Sequence, residues 1–340
     1  MRLFDYQKES IKVSYFAEKP SANIVHRFFK IRNLSSFYPY IGKHFFLSYQ
    51  LINKIRYINN YFKTVNSYIK KEEFFLLYFE TFQARKKRLH YKKLLIFKYF
   101  LIFFDFIINR VFPKIKGLNY LYYKMLKNKR VLSKAEILGR LVANGFEIVH
   151  FENIDGFCYV LSKKKEENYG NATSSYGIIF KMNRIGLGGK YFSLYKIRTM
   201  HSYSEYLQDY MINQEGFDVN GKLKNDFRVT PWGHFFRRLW IDELPQIINL
   251  IKRDIKLVGL RPVSKSYYEI LPEDLKKARI KYRPGLIAPY VCLNYPTTFE
   301  GIIESERKYI QDKSKNPYFT DIKYFFFAVY NILIKGKRSA

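Results

Sequence analysis

The segment from Leu94 to Phe112 constrains the fold most, because it is mostly apolar and yet carries Lys98, Asp105 and Arg110. Its 19 residues are enough to cross a bilayer as a helix. Each charge near the centre of such a helix costs about 2.5 to 3.5 kcal/mol, which disfavours a spanning helix. The segment therefore predicts a helix that lies on one leaflet, or enters and leaves by the same leaflet, over residues 94–117.

Basic residues flank this segment on both sides, which favours both ends facing the same anionic surface. They are Lys86, Lys87, Arg88, Lys92, Lys93, Lys114 and Lys116. Pro113 supplies a bend. A buried core helix with aromatic faces is the alternative, because amphipathicity alone does not separate the two.

The residues on either side of the apolar segment predict an α/β accessory region in two parts, 1–93 and 118–165. In the first part, five apolar residues recur at helical spacing before the strand-like run FFLLYFE; they are Ile55, Ile58, Phe62, Val65 and Ile69. In the second part, Ser133 and Glu136 have capping-box spacing at the start of a helix. Two strands, FEIVHF and FCYVLS, follow as a hairpin.

The polar stretch KKKEENYGNATSS predicts a linker over residues 166–175, so that residues 176–340 form a second domain. A chain of 340 residues that is 48% hydrophobic is long enough for two such units. Its two cysteines, Cys158 and Cys292, have neither zinc-site spacing nor the density of a disulfide scaffold. Together with an N-terminus that lacks a secretion signal, this predicts a reducing, cytoplasmic setting.

The formal net charge of +31 predicts a large anionic partner. Nucleic acid, anionic lipid headgroups and phosphate-bearing small substrates all meet that demand. Lysine and arginine interleaved with tyrosine and phenylalanine resemble a single-strand binding surface. No nucleic-acid motif is present, however, and such a partner leaves the carboxylates described below unexplained, so nucleic acid is not expected.

Lys196 and Arg198 follow a glycine-containing turn and are separated by one residue. In strand geometry they point to one face and can together receive a phosphate. A hairpin turn followed by an edge strand guarded by basic residues explains the same pattern.

Asp242 and Glu243 are adjacent carboxylates at the start of a predicted helix that contains Pro245. A capped helix explains these residue types, since acidic side chains and an early proline suit a helix N-terminus. It does not explain the basic and acidic residues nearby, which are Asp226, Arg228, Arg237, Arg238 and Arg261. Phosphoryl chemistry uses this mixture: one carboxylate as nucleophile, one to hold a divalent cation, and arginines on the phosphate oxygens.

Residues 176–340 resemble the bacterial sugar transferase family, the monotopic phosphoglycosyl transferases that initiate glycoconjugate assembly on undecaprenyl phosphate. The motifs that carry the resemblance are Arg184, Gly186, Gly189, Phe192, KIRTM at 196–200, DFRVTPWG at 226–233, IDELPQIIN at 241–249, VGLRP at 258–262 and RPG at 283–285. The resemblance implies a mixed α/β, membrane-associated monotopic catalytic domain with a re-entrant or interfacial helix.

It also implies a reaction: a sugar 1-phosphate moves from a nucleotide-diphosphate sugar to polyprenol phosphate through a covalent aspartyl intermediate, for capsule, exopolysaccharide or O-antigen assembly. Asp242 is then the nucleophile, and Glu243 is catalytic and holds Mg²⁺. The residues expected to bind substrate phosphate are Arg261, Lys196, Arg198, Arg228, Arg238 and Arg283. The expected location is the cytoplasmic face of the bacterial inner membrane, in contact with anionic lipids; a homo-oligomer is left open.

Three positions depart from the family pattern: Leu260 stands in place of a proline, Arg253 in place of a glycine, and Ile287 within LIAPY in place of a Thr-Gly pair. They leave a second hypothesis open, a catalytically inactive relative that acts as a scaffold in a glycan-assembly complex. The retained Asp242 and Glu243 argue against it.

The C-terminal segment predicts an amphipathic helix that begins with Thr320 and Asp321 as its cap. Its apolar side is expected to hold Ile322, Phe325, Phe326, Val329 and Leu333, and its basic end Lys335, Lys337 and Arg338. The helix either rests on lipid headgroups or packs into the core, and the sequence favours neither.

Overall fold

The computed structural model describes residues 17–18, 35–40, 45–89, 95–115, 117–125, 130–166, 177–215 and 226–336. The chain divides into two compact units. The N-terminal unit comprises residues 1–174 together with 201–214, and the C-terminal unit comprises residues 175–200 and 215–340. The predicted linker lies outside the described residues from residue 167 onward.

A mixed five-stranded sheet organises the N-terminal unit, with the strand order β1-β2-β3-β5-β4. Its strands are β1 (Ala17–Glu18), β2 (Phe45–Ser48), β3 (Phe74–Glu80), β4 (Phe146–Ile154) and β5 (Phe157–Lys164). Strands β2 and β3 are parallel, and the other neighbours are antiparallel. The predicted α/β character and the predicted hairpin of β4 and β5 are confirmed.

The helices of the N-terminal unit include the two that the sequence predicts on either side of the apolar segment. They are α1 (Ile58–Tyr68), α2 (Phe82–Leu89), α3 (Leu95–Phe106), α4 (Leu118–Met125), α5 (Lys134–Ala143) and α6 (Gln208–Glu215). All five apolar residues predicted for the first helix and its flanks are buried. The ring of Phe62 in α1 lies 6.2 Å from that of Phe75 in β3, so this face packs on the sheet.

Helix α5 begins as predicted, with the Ser133 hydroxyl accepting a hydrogen bond from the Glu136 amide at 3.2 Å. The Glu136 carboxylate does not complete the capping box, because it is fully buried and pairs with Arg110 and, at 2.9 Å, with Arg140. A buried carboxylate is tolerated when it is paired and hydrogen-bonded in this way.

Residues 201–214 belong to the N-terminal unit although they follow residues 175–200 of the C-terminal unit in the chain. The Tyr203 carbonyl lies close to Gly139 of α5. A Cβ atom added to Gly139 would be only 2.2 Å from the Tyr203 carbonyl oxygen, so a larger residue does not fit at this position. The Tyr203 hydroxyl accepts a hydrogen bond from Asn59 at 2.6 Å. Residues 201–214 therefore pack in the N-terminal unit, although they lie within the stretch 176–340 that carries the sugar transferase motifs.

Two charges of the apolar segment, those of Asp105 and Arg110, pair within the N-terminal unit. Helix α3 continues as a π-helical turn (Ile107–Val111) and a 3₁₀ turn (Phe112–Lys114). The Asp105 carboxylate pairs with Arg85 at 2.6 Å, and Arg110 pairs with Glu136. Four large apolar side chains of α3 are exposed, namely Phe100, Leu101, Phe103 and Phe104. In the described part of the chain, no helix is both long and apolar enough to cross a membrane.

The C-terminal unit consists of two small sheets surrounded by helices. Strands β6 (Ile179–Ile185) and β7 (Tyr191–Ile197) form an antiparallel hairpin, and β8 (Lys256–Val258) pairs in parallel with β9 (Gly285–Ile287). The helices are α7 (Pro231–Arg238), α8 (Ile247–Ile251), α9 (Lys265–Glu269), α10 (Glu273–Arg279), α11 (Pro289–Cys292), α12 (Phe299–Lys315) and α13 (Phe319–Leu333). A 3₁₀ helix, Ile241–Gln246, precedes α8.

The terminal helix α13 leaves much of its predicted apolar side exposed. Thr320, Tyr324, Ala328 and Asn331 are buried, whereas Ile322, Phe326 and Leu333 of the predicted apolar stripe are exposed. The predicted cap is wrong: Tyr318 is the N-cap residue, and the Thr320 hydroxyl donates instead to the Asp312 carbonyl of α12 at 3.0 Å. Hydrogen bonding to the preceding helix decides which side faces inward. Lys337 and Arg338 lie outside the described residues.

Candidate active site

Two carboxylates and one ammonium group meet at the start of the 3₁₀ helix. The Lys196 Nζ lies 2.6 Å from the Glu243 carboxylate and 3.9 Å from the Asp242 carboxylate. Asp242 is 7% exposed. Of the eight residues that the sequence predicts for the site, the structure thus brings Asp242, Glu243 and Lys196 together.

The backbone before Asp242 takes a turn that fixes the direction of its side chain. Trp240 has φ of 58°, in the left-handed region, and separates α7 from the 3₁₀ helix. The Glu243 amide then donates to the Trp240 carbonyl at 3.0 Å. This turn places both carboxylates in the first turn of the 3₁₀ helix, where the free amides favour negative charge.

Asn249 fastens this helical segment to the strand that carries Lys196. It is fully buried, and its side-chain oxygen accepts from the Tyr195 amide at 3.1 Å. Its side-chain amide donates to the Ser193 carbonyl at 2.8 Å and to Asp254 at 2.9 Å. Because Tyr195 is the residue before Lys196, the amide of Asn249 sets the distance between the ammonium and the carboxylates.

Burial raises the pKa of Asp242 above its ordinary value. The Lys196 ammonium acts in the opposite direction, the neighbouring Glu243 carboxylate raises the pKa further, and Arg237 lowers it. A carboxylate that is costly to ionise but held next to a cation is a stronger nucleophile than an exposed one, since it is less well solvated.

Arg237 interacts with Asp242 through its charge, although the sequence prediction chose Arg238. Its Nε donates to the Thr199 hydroxyl at 2.9 Å, and its charge acts on Asp242. Helix α7 lies close to this backbone, because a Cβ at Gly233 would be 2.2 Å from the Thr199 carbonyl. Gly233 and Arg237 are four residues apart on α7 and so share one face, which is the signal that could have found Arg237.

Arg228, predicted to bind phosphate, is buried and engaged with Asp226. Its Nε and one terminal nitrogen each donate to that carboxylate at 2.8 Å. Burial raises the pKa of Asp226, but the hydrogen bonds and charge of Arg228 outweigh this and leave the pKa below its ordinary value. The pair therefore holds the segment before α7, and phosphate binding by Arg228 stays a prediction.

The remaining predicted arginines lie on different elements. The Arg198 Nε donates to the Gly177 carbonyl at 3.1 Å, and its guanidinium lies over the Phe180 ring. The Arg261 guanidinium lies 3.5 Å from the Tyr290 hydroxyl. Arg238 is exposed at the end of α7, and Arg283 is partly exposed just before β9. Their phosphate-binding roles stay predictions.

Magnesium fits this group of side chains. Among the described residues, no three histidine, cysteine or acidic side chains cluster as a metal site. Mg²⁺ commonly uses only one or two carboxylates and completes its shell with substrate phosphates and water. Asp242 and Glu243 supply two carboxylates at one place, near the Lys196 ammonium, and magnesium binding at Glu243 stays a prediction.

Comparison with known proteins gives the family. Residues 170–335 match the sequence model of the bacterial sugar transferase family. The galactosyl transferase CpsE of Streptococcus agalactiae serotype III is 34% identical over 139 residues, which is 40% of this chain and 31% of CpsE. The uncharacterized sugar transferase EpsL of Bacillus subtilis is 32% identical over 159 residues, covering 46% of this chain and 70% of EpsL. The chain belongs to the bacterial sugar transferase family.

Another sugar transferase relative is the UDP-glucose:undecaprenyl-phosphate glucose-1-phosphate transferase of Caulobacter vibrioides. It is 39% identical over 112 residues, which is 32% of this chain and 38% of that protein. This chain thus spans less than two thirds of the length of CpsE and of the Caulobacter transferase. All three similarities are shorter than half of this chain.

The three departures from the sugar transferase pattern take part in core packing, in strand pairing and in a helix end. Leu260 is buried among Val258, Cys292 and their neighbours, and the Ile287 carbonyl accepts from the Gly259 amide at 3.1 Å. Arg253 has φ of 60° directly after α8, the left-handed position where glycine costs least. These residues change packing and a helix end, and leave the Lys196 contacts with Asp242 and Glu243 in place.

Proposed function

We propose that this protein is a phosphoglycosyl transferase that moves a sugar 1-phosphate from a nucleotide-diphosphate sugar to a polyprenol phosphate. The observation that carries the proposal is the convergence of Asp242 and Glu243 on Lys196, within a chain of the sugar transferase family. The names of two relatives support the substrate class: the Caulobacter enzyme and the undecaprenyl-phosphate galactose phosphotransferase of Salmonella typhimurium. The sugar is left open.

In the first step, a carboxylate oxygen of Asp242 attacks the phosphorus next to the sugar. The bond from that phosphorus to the bridging oxygen breaks, and the nucleoside monophosphate leaves with the electron pair. Asp242 becomes an acyl phosphate that carries the sugar. No proton needs to move, because the attacking group is an anion and the leaving group departs as one.

In the second step, an oxygen of the polyprenol phosphate attacks the same phosphorus. The acyl phosphate bond breaks, and its electrons return to Asp242 as a carboxylate. The product is a polyprenol diphosphate sugar. Holding both phosphates beside one side chain makes each attack effectively unimolecular.

Lys196 lowers the pKa of Asp242 and holds Glu243 in place through its 2.6 Å contact. Arg237, fixed by Thr199, adds positive charge where phosphate oxygens gain negative charge. Magnesium, when bound at Glu243, would neutralise charge on the donor diphosphate. The inactive-scaffold hypothesis does not account for the arrangement of these charges around Asp242.

Exposed apolar side chains beside the carboxylates support a lipid-linked acceptor at a membrane surface. They lie on α7, the 3₁₀ helix, α8 and the segments joining them: Trp232, Phe235, Leu239, Leu244, Ile247, Ile248 and Ile251. Helix α3 exposes a second apolar group, described above. Large exposed apolar patches mark interaction sites, and the net charge of +31 suits anionic headgroups. We therefore propose association with the cytoplasmic face of the bacterial inner membrane.

Asp242→Asn should abolish release of nucleoside monophosphate. The amide is nearly isosteric but lacks the charge of the nucleophile, so the turnover rate should fall by a factor on the order of 10³ or more. The assay supplies Mg²⁺, polyprenol phosphate and a panel of nucleotide-sugars. Asp274→Asn, on an exposed carboxylate of α10, is the matched control and should turn over like wild type. Equal turnover by the Asp242→Asn variant would remove Asp242 as nucleophile.

The pH dependence of kcat/KM should show an acid limb that reports Asp242. Burial raises the pKa of Asp242, so the anionic nucleophile is lost at a higher pH than for an exposed aspartate. Lys196→Met removes the cation that lowers this pKa, and the acid limb should move to higher pH. Lys181→Met, which removes an exposed lysine of β6, should leave the limb where it is. An unmoved or lower limb in Lys196→Met contradicts the proposed role of Lys196.

Replacing Phe100, Phe103 and Phe104 together by serine should weaken binding to anionic vesicles. Each phenylalanine loses apolar area that the proposed contact buries, so the partition coefficient in a flotation assay should drop by about tenfold or more. The matched control replaces Tyr49, Tyr57 and Tyr68, which are exposed aromatic residues elsewhere in the same unit. If both triple variants float like wild type, α3 makes no membrane contact.

A further inference from the structure

Three arginines of the N-terminal unit converge on residues 55–59, where helix α1 begins. A terminal nitrogen of Arg130 donates to the Arg56 carbonyl at 3.0 Å, so the Arg130 guanidinium lies against this backbone. A terminal nitrogen of Arg140 donates to the Asn59 Oδ1 at 2.6 Å. Arg56 and Asn59 are only three residues apart. The contacts therefore bring the positive charges of Arg56, Arg130 and Arg140 to one place.

The Arg56 guanidinium lies between two tyrosine rings. Its Cζ is 5.0 Å from the centre of the Tyr57 ring and 4.7 Å from that of the Tyr123 ring, which belongs to α4. Burial raises the pKa of Tyr123, whereas the charges of Arg130, Arg56 and Arg140 lower it, in agreement with these contacts. The rings hold Arg56 in position without neutralising its charge. Arg56 is partly exposed, so a ligand can reach it from solvent.

This group of arginines has too few carboxylates to balance it. Glu136 accepts from Arg140 at 2.9 Å and also pairs with Arg110. In the described part of the chain, no carboxylate pairs with Arg56 or Arg130. Four guanidinium groups and one carboxylate leave three positive charges, and yet Arg110, Arg130 and Arg140 are each more than nine-tenths buried. Unbalanced buried charge is costly, so an anion that joins the group stabilises the unit.

The backbone at residues 55–59 adds donors of its own. The 11-residue helix α1 starts there, and the side chain of its N-cap residue, Tyr57, makes no capping hydrogen bond. The first amides of an α-helix have no acceptor within the helix, and they favour negative charge. Beside the guanidinium groups, these amides suit an anion that has several oxygens.

We propose that Arg56, Arg130 and Arg140 form a site in the N-terminal unit that binds a phosphate group. A phosphate monoester carries about −1.5 to −2 charges at pH 7, which offsets more of the surplus than a carboxylate does. Its oxygens also match the planar donors of arginine. The site lies outside residues 170–335, which match the sugar transferase family, and does not depend on the proposed reaction. The phosphate belongs either to a soluble molecule or to a lipid headgroup.

Hydrogen exchange of the whole chain, measured by mass spectrometry, tests the site with inorganic pyrophosphate as the probe. Pyrophosphate should slow amide exchange in the peptide that covers residues 55–61. Arg56→Gln should raise the concentration needed for half of this effect by about tenfold or more, because a charge-assisted hydrogen bond is lost. Lys54→Gln removes an exposed charge two residues earlier and should respond like wild type. Arg56→Lys keeps the charge but not the planar donors, and should lie between Arg56→Gln and wild type.

A second arm of the experiment replaces pyrophosphate by vesicles of phosphatidylglycerol, with phosphatidylcholine vesicles as the control. Slowed exchange with pyrophosphate that Arg56→Gln weakens supports the site and assigns it to a soluble phosphate. Slowed exchange with phosphatidylglycerol alone, lost in Arg56→Gln and retained in Lys54→Gln, supports the site and assigns it to a lipid headgroup. Unchanged exchange of residues 55–61 in the wild-type protein with both probes overturns the proposal, whatever the stability of the variants. Equal responses of Arg56→Gln and wild type overturn it as well.

Discussion

The Lys196 ammonium holds the candidate site together, because the Asp242 and Glu243 carboxylates both converge on it, at 3.9 and 2.6 Å. Two neighbouring carboxylates in a poorly solvated place repel each other, and one of them would otherwise take up a proton. The ammonium offsets that repulsion. The local fold of the C-terminal unit holds the Lys196 ammonium at these distances from the two carboxylates.

Three features of the backbone keep the ammonium and the carboxylates in register. Asn249 binds the strand of Lys196 to the helical segment of Asp242 through buried hydrogen bonds. The left-handed backbone conformation of Trp240 sets the direction of the first turn of the 3₁₀ helix, which carries both carboxylates. Gly233 lets α7 approach the Thr199 backbone, which brings Arg237 of α7 within hydrogen-bond distance of Thr199. All three lie within motifs that carry the family resemblance, or next to them.

Local patterns predicted much of the fold correctly. Four elements depend on short-range features that can be identified in the sequence. They are the helical spacing of apolar residues in α1, the apolar run of strand β3, the Ser133 cap and the hairpin of β4 and β5. The side of α13 that faces inward could not be chosen from the sequence, because it depends on hydrogen bonds from Thr320 and Asn331 to carbonyls of other helices. Residues 201–214 pack in the N-terminal unit, where the Tyr203 backbone lies against Gly139, which has no side chain. No local sequence pattern predicts this contact between residues 64 positions apart.

Only the site residues that lie within recognisable sequence motifs could be predicted. The adjacent carboxylates and Lys196 stand in recognisable segments, and the structure brings them together. Arg237 was not chosen as a site residue, because its position depends on Thr199, which is 38 residues earlier in the sequence. Charge alone could not rank the arginines of a chain with 60 basic residues.

The central claim is that the Asp242 carboxylate becomes covalently phosphorylated by a sugar donor. Peptide mass spectrometry after incubation with nucleotide-sugar and Mg²⁺, without polyprenol phosphate, tests it directly. We expect a phosphosugar mass increment on the peptide that contains Asp242, localised to that residue and removed when polyprenol phosphate is added. Nucleotide release from wild-type protein with no adduct, or an adduct on Glu243 instead, would contradict the claim.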